Sequence, residues 1–353
     1  VQELNDAPVA VELTRTTEED VDLVMSSTSI VTGLSKGPNE DAQTLTITNV
    51  RLTNPAAGTV TSQPNGDILF SPADDFFGEA VVEYTVRDNG TNRGVPAPLT
   101  STSVIRINVT PVNDAPVTVN KNFAAVEDQD STYTIASLIA NDLPGPINER
   151  DLLNQTVTFD GLPFTTSAQG GTLAIVGTNI VYRAASNFFG TDTFTYRIRD
   201  NAATPLTTLG TVTVTVSEVN DAPVATNVSR TGIFASVRTV LDLSAELASM
   251  SRGAPNESGQ TLRIVAVSSS VKGVQPVVGA DGVSIIYTAP LGASGPDSFT
   301  YTIEDNGTTN GAQAPLRANG TVNVNVLPFI PSSFSGRVSV SYTHLRAHET
   351  KAN

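Results

Sequence analysis

The chain has 353 residues, enough for three domains of ordinary size, and its 39% hydrophobic content lets each bury a core. It has no cysteine, which excludes disulfides, thiolate nucleophiles and thiolate metal sites. A net charge of −15 argues against nucleic acid and anionic membranes as partners and for solubility or divalent cations. No apolar run reaches the roughly 18 residues of a membrane helix, so no membrane insertion is expected of this segment.

In chain order, the first feature is Leu4-Asn5-Asp6-Ala7-Pro8-Val9, which returns as Val112-Asn113-Asp114-Ala115-Pro116-Val117 and as Val219-Asn220-Asp221-Ala222-Pro223-Val224. So regular a spacing indicates tandem domains, with the proline stiffening each junction. Boundaries are expected at 1–111, 112–218 and 219–330, with a non-domain tail over 331–353. In the first unit, alternation predicts strands at 43–48, 68–70, 82–86 and 104–109, and Pro64-Asn65-Gly66-Asp67 predicts a hairpin turn with Asn-Gly at positive φ. In the second, strands are expected at 172–176, 179–183, 193–198 and 211–216, with Phe194, Tyr196 and Ile198 on one face. In the third they are expected at 260–267, 283–287, 299–303 and 321–326, and short helical turns are allowed near 137–141 and 245–250. Short strands, many turn residues and little helical periodicity predict an all-β chain of three tandem antiparallel Greek-key sandwiches. The Phe and Tyr residues read as core. From about Val338 the chain reads as an artefact. Val340 to Thr350 resembles an in-frame translation of a common sequencing-library adapter, and it holds both histidines, His344 and His348. The start of the chain inside a linker reads as that of a fragment.

Acidic and amide residues recur with the repeats. Asn39-Glu40 with Gln43, Asn148-Glu149 with Gln155, and Asn256-Glu257 with Gln260 form one set. Tyr84…Asp88-Asn89, Tyr196…Asp200-Asn201 and Tyr301…Asp305-Asn306 each end a strand. Glu18-Glu19-Asp20 and Glu127-Asp128 lie early in two units, where the third has Phe234-Ala235-Ser236. Taken singly, such an aspartate reads as a turn residue. As a set on loops at one end of a sandwich, they read as the six to eight oxygens that a hard cation needs.

With these residues in view, the chain resembles the cadherin-like repeats of large bacterial surface and adhesin-type proteins. Val-Asn-Asp-Ala-Pro is similar to the cadherin linker, and Asp88-Asn-Gly with Pro96-Ala-Pro-Leu99 is similar to the cadherin strand-end motif and its loop. The resemblance implies calcium at the junctions. The first junction would take Glu18 or Glu19, Asn113, Asp114, Glu149 and Asp200. The second would take Glu127 or Asp128, Asn220, Asp221, Glu257 and Asp305. A partial site would use Asn5, Asp6, Glu40 and Asp88, and none is expected at the end of the third domain. Asp74 and Asp75 roughly match another acidic cadherin motif and carry little weight, because the other units lack it. The mid-domain motif is Asn-Glu where cadherins usually have Asp-x-Asp.

The implied function is a non-enzymatic, calcium-stiffened repeat segment of a secreted or cell-surface protein, acting in adhesion or as a stalk. Its partners would be calcium ions and a cell-surface or matrix protein or glycan. The alternative is a calcium-independent spacer in a secreted multidomain enzyme. A lectin-type sandwich ranks last for want of an exposed aromatic platform. Nothing in the sequence matches a nucleophile elbow or a phosphate loop.

Overall fold

A computed structural model of the chain describes residues 4–328, so the adapter-like stretch and its histidines lie outside the described residues. The first repeat runs β1 (Leu13–Glu18), β2 (Leu23–Met25), α1 (Ser27–Thr32), β3 (Thr46–Leu52), β4 (Gly58–Ser62), β5 (Ile68–Pro72), β6 (Gly78–Arg87), β7 (Thr91–Asn92), β8 (Val95–Pro96) and β9 (Thr100–Thr110). The second has β10 (Lys121–Val126), β11 (Asp130–Thr134), α2 (Ile135–Leu138), α3 (Ile147–Asp151), β12 (Val157–Gly161), β13 (Thr172–Val176), β14 (Asn179–Arg183), β15 (Gly190–Asp200) and β16 (Thr207–Ser217). The third has β17 (Val228–Phe234), β18 (Thr239–Asp242), α4 (Ser244–Ser249), β19 (Arg263–Val267), β20 (Val277–Val278), β21 (Ser284–Tyr287), β22 (Gly295–Glu304), β23 (Thr308–Thr309), β24 (Ala312–Gln313) and β25 (Arg317–Leu327).

Each repeat is a sandwich of one four-stranded and one three-stranded sheet, with strand orders β1-β9-β6-β3 over β2-β5-β4, β10-β16-β15-β12 over β11-β14-β13, and β17-β25-β22-β19 over β18-β21-β20. The fold is therefore three tandem all-β, Ig/cadherin-like sandwiches. Compact packing divides the chain between Val216 and Ser217, with two sandwiches in the first unit and one in the second.

The core follows from strand periodicity. In β6, Ala80, Val82, Tyr84 and Val86 point inward and are fully buried, and Phe194, Tyr196 and Ile198 do the same in β15. A buried tyrosine hydroxyl needs an acceptor. Tyr84 donates to the Val11 carbonyl at 2.6 Å and Tyr301 to the Thr226 carbonyl at 2.5 Å, tying the entering chain to the core. Tyr196 instead donates to Asp142 Oδ2 at 2.7 Å, and Lys121 Nζ holds the other oxygen at 2.8 Å.

Several expectations are corrected. β1 pairs with β9, and β17 with β25, in parallel, because a whole sandwich separates each pair and no hairpin dictates direction. β3 begins at Thr46 and β19 at Arg263, leaving Gln43 and Gln260 in loops that hold the linker. In the β4–β5 hairpin only Gly66 has positive φ, at 88°, and Asn65 does not. Gly66 N–H bonds back to the Gln63 carbonyl, so Pro64-Asn65 forms the turn and glycine follows it. The helical turns α1 and α3 were not expected. Phe164, Phe189 and Phe234 are exposed rather than core.

The two sheets are joined differently among the repeats. In the second, buried Asp192 accepts from the Tyr182 hydroxyl at 2.7 Å, from the Ser167 hydroxyl, and from the N–H groups of Gln169 and Thr193 at 2.9 and 2.7 Å. Asp297 holds the Tyr287 hydroxyl and the N–H groups of Lys272 and Ser298 in the same way. In the first repeat Ala80 and Phe70 occupy these strand positions and the acceptor and the hydroxyl are absent together. A buried carboxylate satisfied by so many donors stabilises, but removing it strands them. Asp192→Ala is therefore expected to lower unfolding free energy by about 3 kcal/mol. Adding Tyr182→Phe, which recreates the first repeat's pair, should restore part of the loss in urea unfolding. A double variant no more stable than the single one would show that the two groups are uncoupled.

Candidate metal centre

Each linker is seated by the same hydrogen bonds. The linker asparagine donates its amide to the strand-end aspartate: Asn5 to Asp88 at 2.9 Å, Asn113 to Asp200 at 3.2 Å and Asn220 to Asp305 at 2.9 Å. The loop glutamine donates to the asparagine's oxygen: Gln43 to Asn5 at 2.8 Å, Gln155 to Asn113 at 3.0 Å and Gln260 to Asn220 at 2.8 Å. The linker aspartate's N–H donates to the loop glutamate: Asp6 to Glu40 at 2.9 Å, Asp114 to Glu149 at 2.7 Å and Asp221 to Glu257 at 2.9 Å. Strand ends and turns thus fix a long-range register that the linker completes with its asparagine side chain and its aspartate N–H.

These bonds use some of the oxygens and leave others bare. Asp88 Oδ1 accepts from Asn5, Gly90 and Leu99, and Asp305 Oδ1 accepts from Asn220, Gly307 and Leu316. The second oxygen of each is buried without a donor. The same holds for Glu40 Oε2, Asp114 Oδ2, Asn148 Oδ1, Glu149 Oε2 and Asp221 Oδ2, and for the Oε1 atoms of Gln43, Gln155 and Gln260. Two of the strand-end and loop acids are fully satisfied: both oxygens of Asp200 are bonded, and Glu257 Oε2 accepts from Ala254 N–H. A bare buried acceptor costs about 1–3 kcal/mol. Glycine lets the glutamate in: a Cβ at Gly37, Gly145 or Gly253 would collide with the Oε2 of Glu40, Glu149 or Glu257. Those glycines recur just upstream of Asn-Glu, a signal in the sequence that had gone unread.

Within the first unit, acids from the first sandwich meet the linker and the second sandwich. Glu19, 2% exposed, accepts from Val112 N–H at 2.7 Å and from the Asn148 amide at 3.1 Å. Carboxylate oxygens of Asp20, Asp75 and Asp114 lie within 4.8 Å of one another. Asp20 and Asp75 both have left-handed backbone, at φ 58° and 56°, and Asp75 N–H donates to Asp20 Oδ1 at 3.2 Å. Glu18 points to solvent at the end of β1 and is not brought in, and Asp6 and Asp74 are likewise exposed. Asp20, Asp75 and Asn148 are thus brought to the candidate site although none of them was among the ligands expected at the first junction.

Burial raises the pKa values of Glu19, Asp75, Asp114 and Glu149. Neighbouring acids raise them further, Asp114, Asp20 and Asp75 for Glu19 and Asp75 and Asp20 for Asp114. Backbone N–H donors, Val112 to Glu19 and Asp114 to Glu149, pull the other way but do not prevail. An oxygen-only set of several carboxylates and an amide carbonyl, bare or mutually repelling, fits a hard cation and no softer metal.

The acids thin out along the chain at the corresponding end of each sandwich. The second repeat keeps buried Glu127 and left-handed Asp128, whose Oδ1 accepts from Asn187 N–H at 3.2 Å. Asn187 stands where Asp75 stood, with the same φ of 56°. In the third repeat Ala235 donates its N–H to Leu327 O as Glu19 does to Thr110 O, so an alanine holds the glutamate's place. Ser236, at φ 61°, follows it where Asp20 and Asp128 stood. Residues Asn220, Asp221, Glu257 and Asp305 belong to the second unit and form the linker seat there.

Comparisons with known proteins agree with this layout. The cadherin-like domain family matches residues 4–102, and the bacterial Ig domain family matches residues 113–217 and 220–317. No curated protein matches the chain. Among solved structures it is similar to protocadherin gamma B7 extracellular cadherin domains 1-4, at 16% identity and TM-score 0.42, covering 89% of this chain and 74% of that one. Mouse cadherin-23 EC22-24 is 15% identical with TM-score 0.48, covering 92% of this chain and 100% of that one. Protocadherin gamma B2 extracellular cadherin domains 3-6 is 13% identical with TM-score 0.42, covering 92% and 80%. Such domains are typical of extracellular and surface proteins and are typically non-catalytic. Among the described residues no helix is long and apolar enough to cross a membrane. The chain belongs to the bacterial Ig domain family, with a cadherin-like domain as its first repeat.

Proposed function

We propose that this chain is a non-enzymatic, calcium-stiffened segment of a secreted or cell-surface protein, serving adhesion or acting as a stalk. Its repeats are taken as 1–111, 112–218 and 219–330. The observation that carries the reading is the buried oxygens without donors that recur at each linker. At the first junction the cation would be held by Glu19, Asp20, Asp75, Asp114, Asn148 and Glu149, with Asn113 and Asp200 fixing the linker. Calcium supplies positive charge and ligand bonds to oxygens that otherwise repel. The chain's own residues supply the seat, with Asp20 at its exposed side and Asp75 and Asp114 half-buried. Glu127 and Asp128 in the first unit, and Asn220, Asp221, Glu257 and Asp305 in the second, are proposed as contributors each within its own unit. Asn5, Asp6, Glu40 and Asp88 are the proposed partial set at the first linker, and the Ala235 end of the third repeat takes no metal. A stiffened segment suits presentation of a distal module to a cell-surface or matrix protein or glycan.

Metal that binds only the folded state adds RT ln(1 + [L]/Kd), about 0.4–1.4 kcal/mol per site at about 1 mM calcium for an extracellular-type Kd of roughly 10⁻⁴ to 10⁻³ M. Calorimetry should show calcium raising the melting temperature, and melts identical with calcium and with chelator would sink the reading.

The sign with pH is also fixed. Folded Glu19, Asp75, Asp114 and Glu149 hold protons more tightly than they do unfolded. Without metal their contribution to stability is full below the ordinary carboxylate range and is lost as pH rises through the raised values. The calcium increment should grow over that same rise, and an increment independent of pH there would contradict the assignment.

By titration calorimetry, Asp114→Ala and Asp75→Ala are each expected to weaken calcium binding at least tenfold, given the loss of one ligand carboxylate. Asp74→Ala, which removes an exposed neighbour, should weaken it less. Equal losses from all three would point to diffuse charge rather than a built site.

A further inference from the structure

The three linkers are not gripped alike. In the third repeat the strand-end Asp305 is followed by the β23–β24 hairpin, which reaches back over the incoming chain. Glu218, two residues before the linker asparagine, accepts from the Thr308 hydroxyl and, at 3.1 Å, from Gly311 N–H through one oxygen. The Glu218 carbonyl accepts from Asn310 N–H at 3.2 Å, and Asn220 N–H donates to the Thr309 hydroxyl at 3.0 Å. Asn310, at the hairpin tip, has left-handed φ of 52°, which lets its N–H turn onto the linker. The first repeat has the equivalent hairpin, β7–β8, and Asn92 accepts from Asn5 N–H at 2.7 Å.

The second repeat has neither part. A short loop joins Asp200 to Leu206 with no hairpin, and the position of Glu218 is held by Pro111. The sequence pairs the two features: Glu3 and Glu218 precede the linkers of the repeats with hairpins, and proline precedes the linker of the repeat without one. In place of the hairpin, Val112 N–H is held by Glu19, a carboxylate of the acidic cluster.

We propose that the Glu218–hairpin contact is a metal-independent clamp. It keeps the linker seated on the third repeat when calcium is withdrawn, whereas the linker into the second repeat is released. The bonds made by Glu218 are those of a carboxylate with an N–H and a hydroxyl, and none of them uses an oxygen of the proposed metal set. Glu218 also lies outside the groups whose mutual repulsion grows when metal leaves. The clamp therefore rests on described hydrogen bonds alone. Only its contrast with the second repeat depends on the calcium reading above.

Hydrogen exchange on the full chain, with calcium and with chelator, tests this residue by residue. The amides of Asn220, Asn310 and Gly311 should stay protected in both conditions, while that of Val112 should lose protection in chelator. Glu218→Ala should speed exchange at Gly311 about tenfold or more, through loss of its charge-assisted bond, with β22 and β25 amides unchanged as evidence of folding. Glu218→Gln, which keeps an acceptor, should fall between. Rapid exchange at Asn310 and Gly311 in the unaltered chain under chelator, or no effect of Glu218→Ala, would overturn the clamp. Equal protection of Val112 in both conditions, with the hairpin amides protected, would instead overturn the calcium reading and leave the clamp standing.

Discussion

Everything at the repeat ends depends on one constraint: a carboxylate must be buried to hold the linker, and hydrogen bonding uses only part of it. Asp88 and Asp305 spend a single oxygen on three donors each, and the other oxygen faces the protein with none. Glu40 and Glu149 do the same with the linker N–H groups. Left alone, these atoms oppose folding, because buried charge without a partner is penalised by desolvation. The sandwiches behind them tolerate this because their cores are independent and complete, built on Tyr84, Tyr196 and Tyr301 and the strands around them. The site is thus a cost carried by a scaffold that does not need it, the usual signature of a place kept for a ligand.

The first junction shows how far this goes. Glu19, Asp20, Asp75, Asp114 and Glu149 come from both sandwiches and the linker, with no lysine or arginine among the causes that set the pKa values of Glu19, Asp75, Asp114 and Glu149. Elsewhere some buried acids have a cation beside them: Asp142 with Lys121, and Glu304 with Arg263 and Arg317. Those two solutions differ in what they respond to. An internal cation fixes the geometry permanently, whereas a cluster of acids leaves stiffness to the ion content of the surroundings. The acids thin from Asp75 to Asn187 to Gly292, which follow the equivalent strands β5, β14 and β21, and from Glu19 to Glu127 to Ala235; under the proposed reading the response to ions would thin with them.

Much of this was legible in the sequence because repetition made it so. The linker Asn-Asp, the Asn-Glu loop and the strand-end Asp recur in step, and the sandwich fold follows from alternation of the kind seen at 193–198. What stayed hidden was whatever depends on backbone conformation or on contacts across sandwiches. Asp20 was passed over for Glu18, since only the turn at the end of β1 decides that Glu19 faces in and Glu18 out. Asp75 was discounted because its counterparts are Asn187 and Gly292. Yet all three share a positive φ, which asparagine, aspartate and glycine tolerate for different reasons, so the position recurs even though the charge does not. The Lys121–Asp142 pair joins β10 to the loop after α2, which pattern alone does not pair, and the Tyr182–Asp192 contact, although it recurs at the same ten-residue spacing as Tyr287–Asp297, joins strands of opposite sheets.

The central claim is that the bare oxygens of the first junction are metal ligands. Anomalous diffraction from crystals of the chain grown in millimolar calcium tests it most directly. The account predicts an anomalous peak at ligand distance from the carboxylates of Asp20, Asp75 and Asp114, and none beside Ala235. Water or bare density among those carboxylates at that calcium concentration, or a peak at the Ala235 end, would contradict it.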